Sequence, residues 1–169
     1  MDPTTSGARS LLRHTLATLA YRAAKVLRDT PPGYPECRPI AGGRSPLELV
    51  SHLGDVMEWA ATMAKGPVKW SVGGSAVWSS EVERFFTAIE RLDTWLASGR
   101  PLARTAEVIF QGPIADALTH VGQLAMLRRA AGAPVRPESY AKAEIAAGRI
   151  GAMQPAPKAE FDGDSSARG

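Results

Sequence analysis

Asp116 and His120 lie four residues apart in Asp116-Ala-Leu-Thr-His120-Val-Gly-Gln123, the stretch of this 169-residue chain richest in groups that can do chemistry. Four-residue spacing puts two side chains on one face of a helix, one turn above the other, and Gln123 continues the line. The segment opens at Gly112-Pro113 and closes at Arg128-Arg129-Ala-Ala-Gly132. Pro113 suits a first helical position and Gly132 the position past a helix end, which predicts one helix of about five turns. Ile114, Ala117, Leu118, Val121, Leu124, Ala125 and Leu127 cover most of the remaining circumference, so the helix is expected to be buried. An ionisable pair on a buried helix is costly unless it is hydrogen-bonded, charge-paired or bound to a cation.

A third group of the same kind is His52, in Leu49-Val-Ser-His52-Leu-Gly-Asp55, at the edge of an apolar stripe on an earlier helix. Two imidazoles and a carboxylate suit a divalent transition ion that keeps positions open for water or substrate. Asp55, on the next turn, is placed to orient His52. The same residues permit a different outcome. His120 could donate to Asp116 and His52 to a backbone carbonyl, a polar network that holds helices in register and binds nothing. Residue types and spacing leave these two outcomes level.

Several elements must position the trio. Leu12, Leu16, Leu19, Ala23 and Val26 recur at helical intervals and predict a first helix from about Ser10 to Asp29, with His14 on its exposed side. Thr30 to Arg44, with Pro31-Pro32-Gly33, Pro35, Pro39 and Gly42-Gly43, excludes regular structure and is expected to wall a pocket. Ser45-Pro46-Leu47-Glu48 reads as a capping box opening a second helix to about Ala64. Lys65 to Val77 is a second loop carrying Trp70. Ser80-Glu81-Val82-Glu83 reads as another capping box, for a third helix ending at Ser98 with Gly99 as its stop. A short turn is expected within Leu102 to Phe110 and a short last helix from Glu138 to Ala147. No segment alternates as a strand and no repeat is visible. The expected fold is all-α: an antiparallel four-helix bundle over residues 9–150 with long loops and a short C-terminal helix, flanked by disordered tails at 1–8 and 151–169.

Composition narrows the function classes. The chain is 44% hydrophobic and 22% charged, ordinary for a globular protein. Its lone cysteine, Cys37, has no internal partner, which fits a reducing cytoplasm. No apolar run approaches the ~20 residues of a membrane span, and Leu11 to Leu27 contains too many charges for a signal peptide. The net charge of +3 is interleaved with apolar residues at helical spacing, and Arg128-Arg129 is the longest basic run. Solvated helix faces explain that pattern better than a phosphate-tracking stripe, so nucleic acid is not an expected partner.

The His52 segment, Asp116-x-x-x-His120-Val-Gly-Gln123-Leu and the run to Gly132 together resemble the DinB/YfiT-like superfamily of small four-helix bundles, over roughly residues 10–150. The resemblance implies one metal ligand from the second helix, matched by His52. Two more come from the helix whose signature ends in His-x-Gly-Gln, matched by His120 and the residue four before it. That residue is commonly histidine in the superfamily and is Asp116 here, a harder ligand compatible with zinc, nickel, manganese or iron. Members include thiol-dependent transferases and isomerases as well as hydrolase-like proteins. The resemblance therefore implies a metal-dependent enzyme acting on a small electrophile with a low-molecular-weight thiol or water as nucleophile, and a homodimer. Gln123, Trp59 and Tyr140 are the candidate substrate-contacting residues, and no separate catalytic base stands out. The alternative is a non-catalytic, stress-associated binding protein on the same bundle.

Overall fold

The computed structural model describes residues 3–161. Its elements are α1 (Pro3–Leu27), α2 (Pro46–Lys65), α3 (Trp78–Ala97), the single turn α4 (Ala106–Ile109), a π turn (Phe110–Ile114), α5 (Ala115–Ala130) and a 3-10 turn at Tyr140–Lys142. The class is all-α, as the apolar periodicity requires, and no strand occurs among the described residues. α2 packs against α3 and α5, and α1 packs against the same two helices. Between them lies a continuous core to which Leu16, Leu19, Leu53, Met57, Phe85, Ile89, Ile114 and Leu124 contribute fully buried side chains.

Local signals account for several helix ends. Ser45 caps α2 as expected: its Oγ accepts from Glu48 N–H at 3.2 Å while Glu48 Oε2 accepts from Ser45 N–H at 2.8 Å. α5 closes on Gly132, whose φ of 76° is in the left-handed region. The N–H groups of Gly132 and Ala133 turn back to the carbonyls of Arg129 and Arg128 at 3.1 and 2.9 Å, a Schellman closure. The expected capping box at Ser80 and Glu83 does not form. α3 starts earlier, at Trp78, with Val77 in the cap position and no side-chain cap.

Pro113 is not the first residue of a helix. It lies inside the π turn, and the helical path runs through it from Ala106 to Ala130. Proline has no N–H and its ring would strike the carbonyl four residues back in an α-helix. Widening the coil by one residue relieves the clash, and Ala115 N–H bonds to Phe110 O across five residues.

The ends of the described chain differ from expectation. α1 begins at Pro3, within the stretch expected to be a disordered tail. At the other end Ser139 N–H bonds Ala159 O at 3.0 Å and Phe161 N–H bonds Pro137 O at 3.1 Å. Lys25, on α1, meets Glu138 at 2.8 Å and Glu160 at 2.7 Å, and Tyr21 donates to Glu138 at 2.8 Å. Residues 151–161 are thus strapped onto α1, and only residues 162–169 of the expected tail lie outside the described residues. The helix expected at Glu138 to Ala147 shrinks to Tyr140–Lys142.

A second polar knot ties α2, α3 and the 66–77 loop. Arg84 meets Asp55 at 2.8 Å and Glu81 at 2.7 Å, and donates to Ser51 O at 2.6 Å. Asp55 also accepts from Gly73 N–H at 2.9 Å. Gly54 makes room for this guanidinium, because a Cβ there would fall 2.6 Å from Arg84 Cζ. Asp55 and Glu81 are only 4% and 1% exposed, so removing their cation strands two buried carboxylates. Arg84→Met is expected to cost about 3–5 kcal/mol of stability in chemical denaturation. Arg38→Met, which breaks the exposed pair with Glu48, should leave the midpoint nearly unchanged.

Candidate metal centre

α2 carries His52 and α5 carries Asp116 and His120, and the packing of these two helices brings the three together. One ligand atom from each lies within 4.8 Å of the others. The Asp116 carboxylate stands between the rings, with Oδ2 3.6 Å from His52 Nε2 and Oδ1 3.4 Å from His120 Nε2. Both separations are too long for a hydrogen bond. Each is made by a different carboxylate oxygen, and an ion with bonds of about 2.0–2.1 Å would draw its ligand atoms to roughly 3.3 Å from one another. The two imidazole ring centroids are 4.8 Å apart and the rings nearly perpendicular.

Gln123 decides the state of His120. His120 Nδ1 and Gln123 Oε1 are 2.7 Å apart. An amide oxygen can only accept, so Nδ1 carries a proton and Nε2 is the ring nitrogen turned toward Asp116. This is the orientation that a neighbouring hydrogen bond imposes on metal-ligating histidines. His52 makes no hydrogen bond of its own among the described residues. Its pKa is lowered from the ordinary 6.5, first by desolvation and then by the charges of Arg44 and His120, against the opposing pull of Asp116 and Asp55. His120 does approach Asp116, at 3.4 Å, as the alternative polar network requires, while His52 reaches no backbone carbonyl among the described residues. Two imidazoles and a carboxylate thus face one gap, an arrangement that could hold a cation.

The centre is less buried than the apolar sequence around it suggested. The Asp116 side chain is 47% exposed, against 22% for His52 and 14% for His120. The burial cost expected for the whole trio therefore falls on the imidazoles, and the carboxylate side is open to solvent.

Other expected site residues fare differently. Trp70, on the 66–77 loop, lies 6.1 Å from His52 between ring centroids, and Trp59 packs edge-on against it at 5.7 Å. Trp59 therefore borders the centre through Trp70. Tyr140 is elsewhere: it packs on Tyr21 at 6.2 Å, under the guanidinium of Arg22 at 4.6 Å, on α1. Its short helix did not form, and the strap across α1 carries it away from α2 and α5. Asp55 does not orient His52, because Arg84 and Gly73 engage it. Glu58, one turn further along α2, is also drawn to Arg84, at 3.8 Å.

The loop of residues 30–44 does wall a pocket. A cleft of about 430 Å³ beside the centre is lined by Ile40, Arg44, Leu49, His52, His120 and Met126, with Gln123 and Leu127 completing it. Tyr34 anchors this loop through its hydroxyl, which donates to Leu124 O at 2.9 Å. Arg44 and Met126 carried no signal in the sequence, since each reads as an ordinary surface residue. No protein-family model matches the chain, and no curated protein or solved structure is significantly similar to it.

The lowered pKa of His52 has a definite sign. A histidine harder to protonate in the folded state than in the unfolded one contributes stability that is complete above pH 6.5 and is lost as pH falls through its folded value. In a proton-detected NMR titration of the metal-free protein, the His52 ring is expected to titrate below 6.5. Arg44→Gln should move its midpoint upward.

Proposed function

We propose that the chain is a DinB/YfiT-like antiparallel four-helix bundle that holds one divalent ion, zinc, nickel, manganese or iron, between His52, Asp116 and His120. Its reaction is the transfer of a low-molecular-weight thiol to a small electrophilic substrate, in the cytoplasm and from a homodimer. The observation that carries this reading is the convergence of two imidazoles and a carboxylate from α2 and α5, with one imidazole hydrogen-bonded to Gln123.

The chain's own residues set what such a centre can do. His52 and His120 present ring nitrogens, and Asp116 supplies the negative charge and the open side through which a nucleophile enters. Gln123 keeps the His120 ring from rotating away. Trp70, backed by Trp59, covers the face toward the 66–77 loop and excludes water there. A divalent ion in this set supplies Lewis acidity, lowering the pKa of a bound thiol or water. Asp55 and Glu58 are drawn to Arg84, which leaves Asp116 as the carboxylate at the centre. A thiol ionises far more readily than bulk water and needs less help from a base, and this favours thiol transfer over hydrolysis.

The test begins with protein stripped by a chelator and reloaded with zinc, nickel, manganese or ferrous ion. Elemental analysis is expected to find one ion per chain. A hundredfold excess of free ion over Kd should stabilise the fold by about 2.7 kcal/mol. Gln123→Leu should weaken the ion by about 10–100-fold, and His120→Ala should abolish both tight binding and thiol conjugation to electrophiles such as 1-chloro-2,4-dinitrobenzene. Conjugation that survives His120→Ala rejects the site. Stoichiometric metal without turnover of any electrophile assigns the non-catalytic binding role instead.

A further inference from the structure

The cleft beside the centre has a chemical character of its own. Leu49 and Leu127 form buried walls, while Ile40 and Met126 stand at its lip 46% and 52% exposed. Large apolar side chains held open to water around a concavity of about 430 Å³ favour an apolar guest of small-molecule size. No carboxylate lines the cleft, and its one charged residue is Arg44.

Arg38, Arg84 and Arg128 each spend their guanidinium on a carboxylate or on backbone carbonyls. Arg44 makes no hydrogen bond or ion pair among the described residues, yet its position is fixed, because the next residue is Ser45, the capping residue of α2. It borders both the cleft and the adjoining cavity under Trp70, with His52 common to the two.

We propose that Arg44 is the specificity-determining residue of this cleft and that the ligand is an amphipathic monocarboxylate, its carboxylate on Arg44 and its apolar body between Ile40, Leu49, Met126 and Leu127. A single planar guanidinium matches a carboxylate through two parallel hydrogen bonds. A phosphate dianion would call for more than the one cation present. The ligand's first carbons would then lie against His52 and His120. The inference rests on the proposed metal centre for the reaction undergone by the ligand, and not for its capture.

The probe is octanoate, titrated by NMR into the metal-free and the zinc-loaded protein, with octylamine as the opposite charge. Octanoate is expected to shift the ring signals of His52 and His120 in both forms, and octylamine is not. Arg44→Gln should weaken octanoate at least tenfold in the metal-free form, where no ion can hold the carboxylate, and Arg44→Lys should recover part of the loss. An unchanged thermal midpoint will show that the exposed substitution leaves the fold intact. Equal affinity of wild type and Arg44→Gln, equal binding of octylamine, or no octanoate binding to the metal-free protein overturns the inference. If zinc fails to bind while octanoate still depends on Arg44, the metal reading falls and the inference stands. If zinc binds at the trio and octanoate ignores Arg44, the reverse holds.

Discussion

The convergence of two imidazoles on one carboxylate, from two helices, is the constraint on which this site depends. Asp116 is 3.4 and 3.6 Å from the nearest nitrogens of the two imidazoles, through one oxygen to each. Gln123 holds the His120 ring through Nδ1, which leaves Nε2 as the nitrogen facing Asp116. Desolvation disfavours the charged form of His52, against the pull of the same carboxylate. The carboxylate keeps contact with water, its side chain being 47% exposed. A cation between the three would meet a ligand on each side.

The rest of the structure serves that arrangement at one remove. The π turn around Pro113 fixes the rotation with which α5 presents Asp116 and His120 to α2. A straight α-helical path would carry both residues about 100° around the axis. Arg84 and its carboxylates lock α2 to α3 and hold Gly73, so that the loop bearing Trp70 lies against His52. Tyr34 pins the opposite loop to α5, which brings Ile40 and Arg44 to the cleft. The Arg84 and Tyr34 contacts each join separate elements, and each sets the position of one wall.

Much of this was legible in the chain itself. Apolar periodicity gave the helices, Ser45 and Glu48 gave the start of α2, Gly132 gave the end of α5, and the residue types alone picked out His52, Asp116 and His120. What was not legible has a common physical origin. Tyr140, Asp55 and the last stretch of chain were misplaced because buried charge partners between distant segments decide their surroundings: Lys25 with Glu138 and Glu160, Arg84 with Asp55 and Glu81. A lysine or glutamate at a nominally exposed helical position gives no hint that a partner some hundred residues away will cover it. Pro113 was misread for a different reason, since its local chemistry fits a helix start and a π turn equally well, and only the packing of Ala106 to Ile109 onto the same axis selects the second.

The most direct measurement is anomalous diffraction at the zinc edge from crystals of the full chain grown with stoichiometric zinc. The account predicts one strong peak per chain bounded by His52 Nε2, His120 Nε2 and an Asp116 carboxylate oxygen, each at about 2.0–2.2 Å. Well-ordered side chains at those three positions with no peak between them, or a peak on other residues alone, would contradict it.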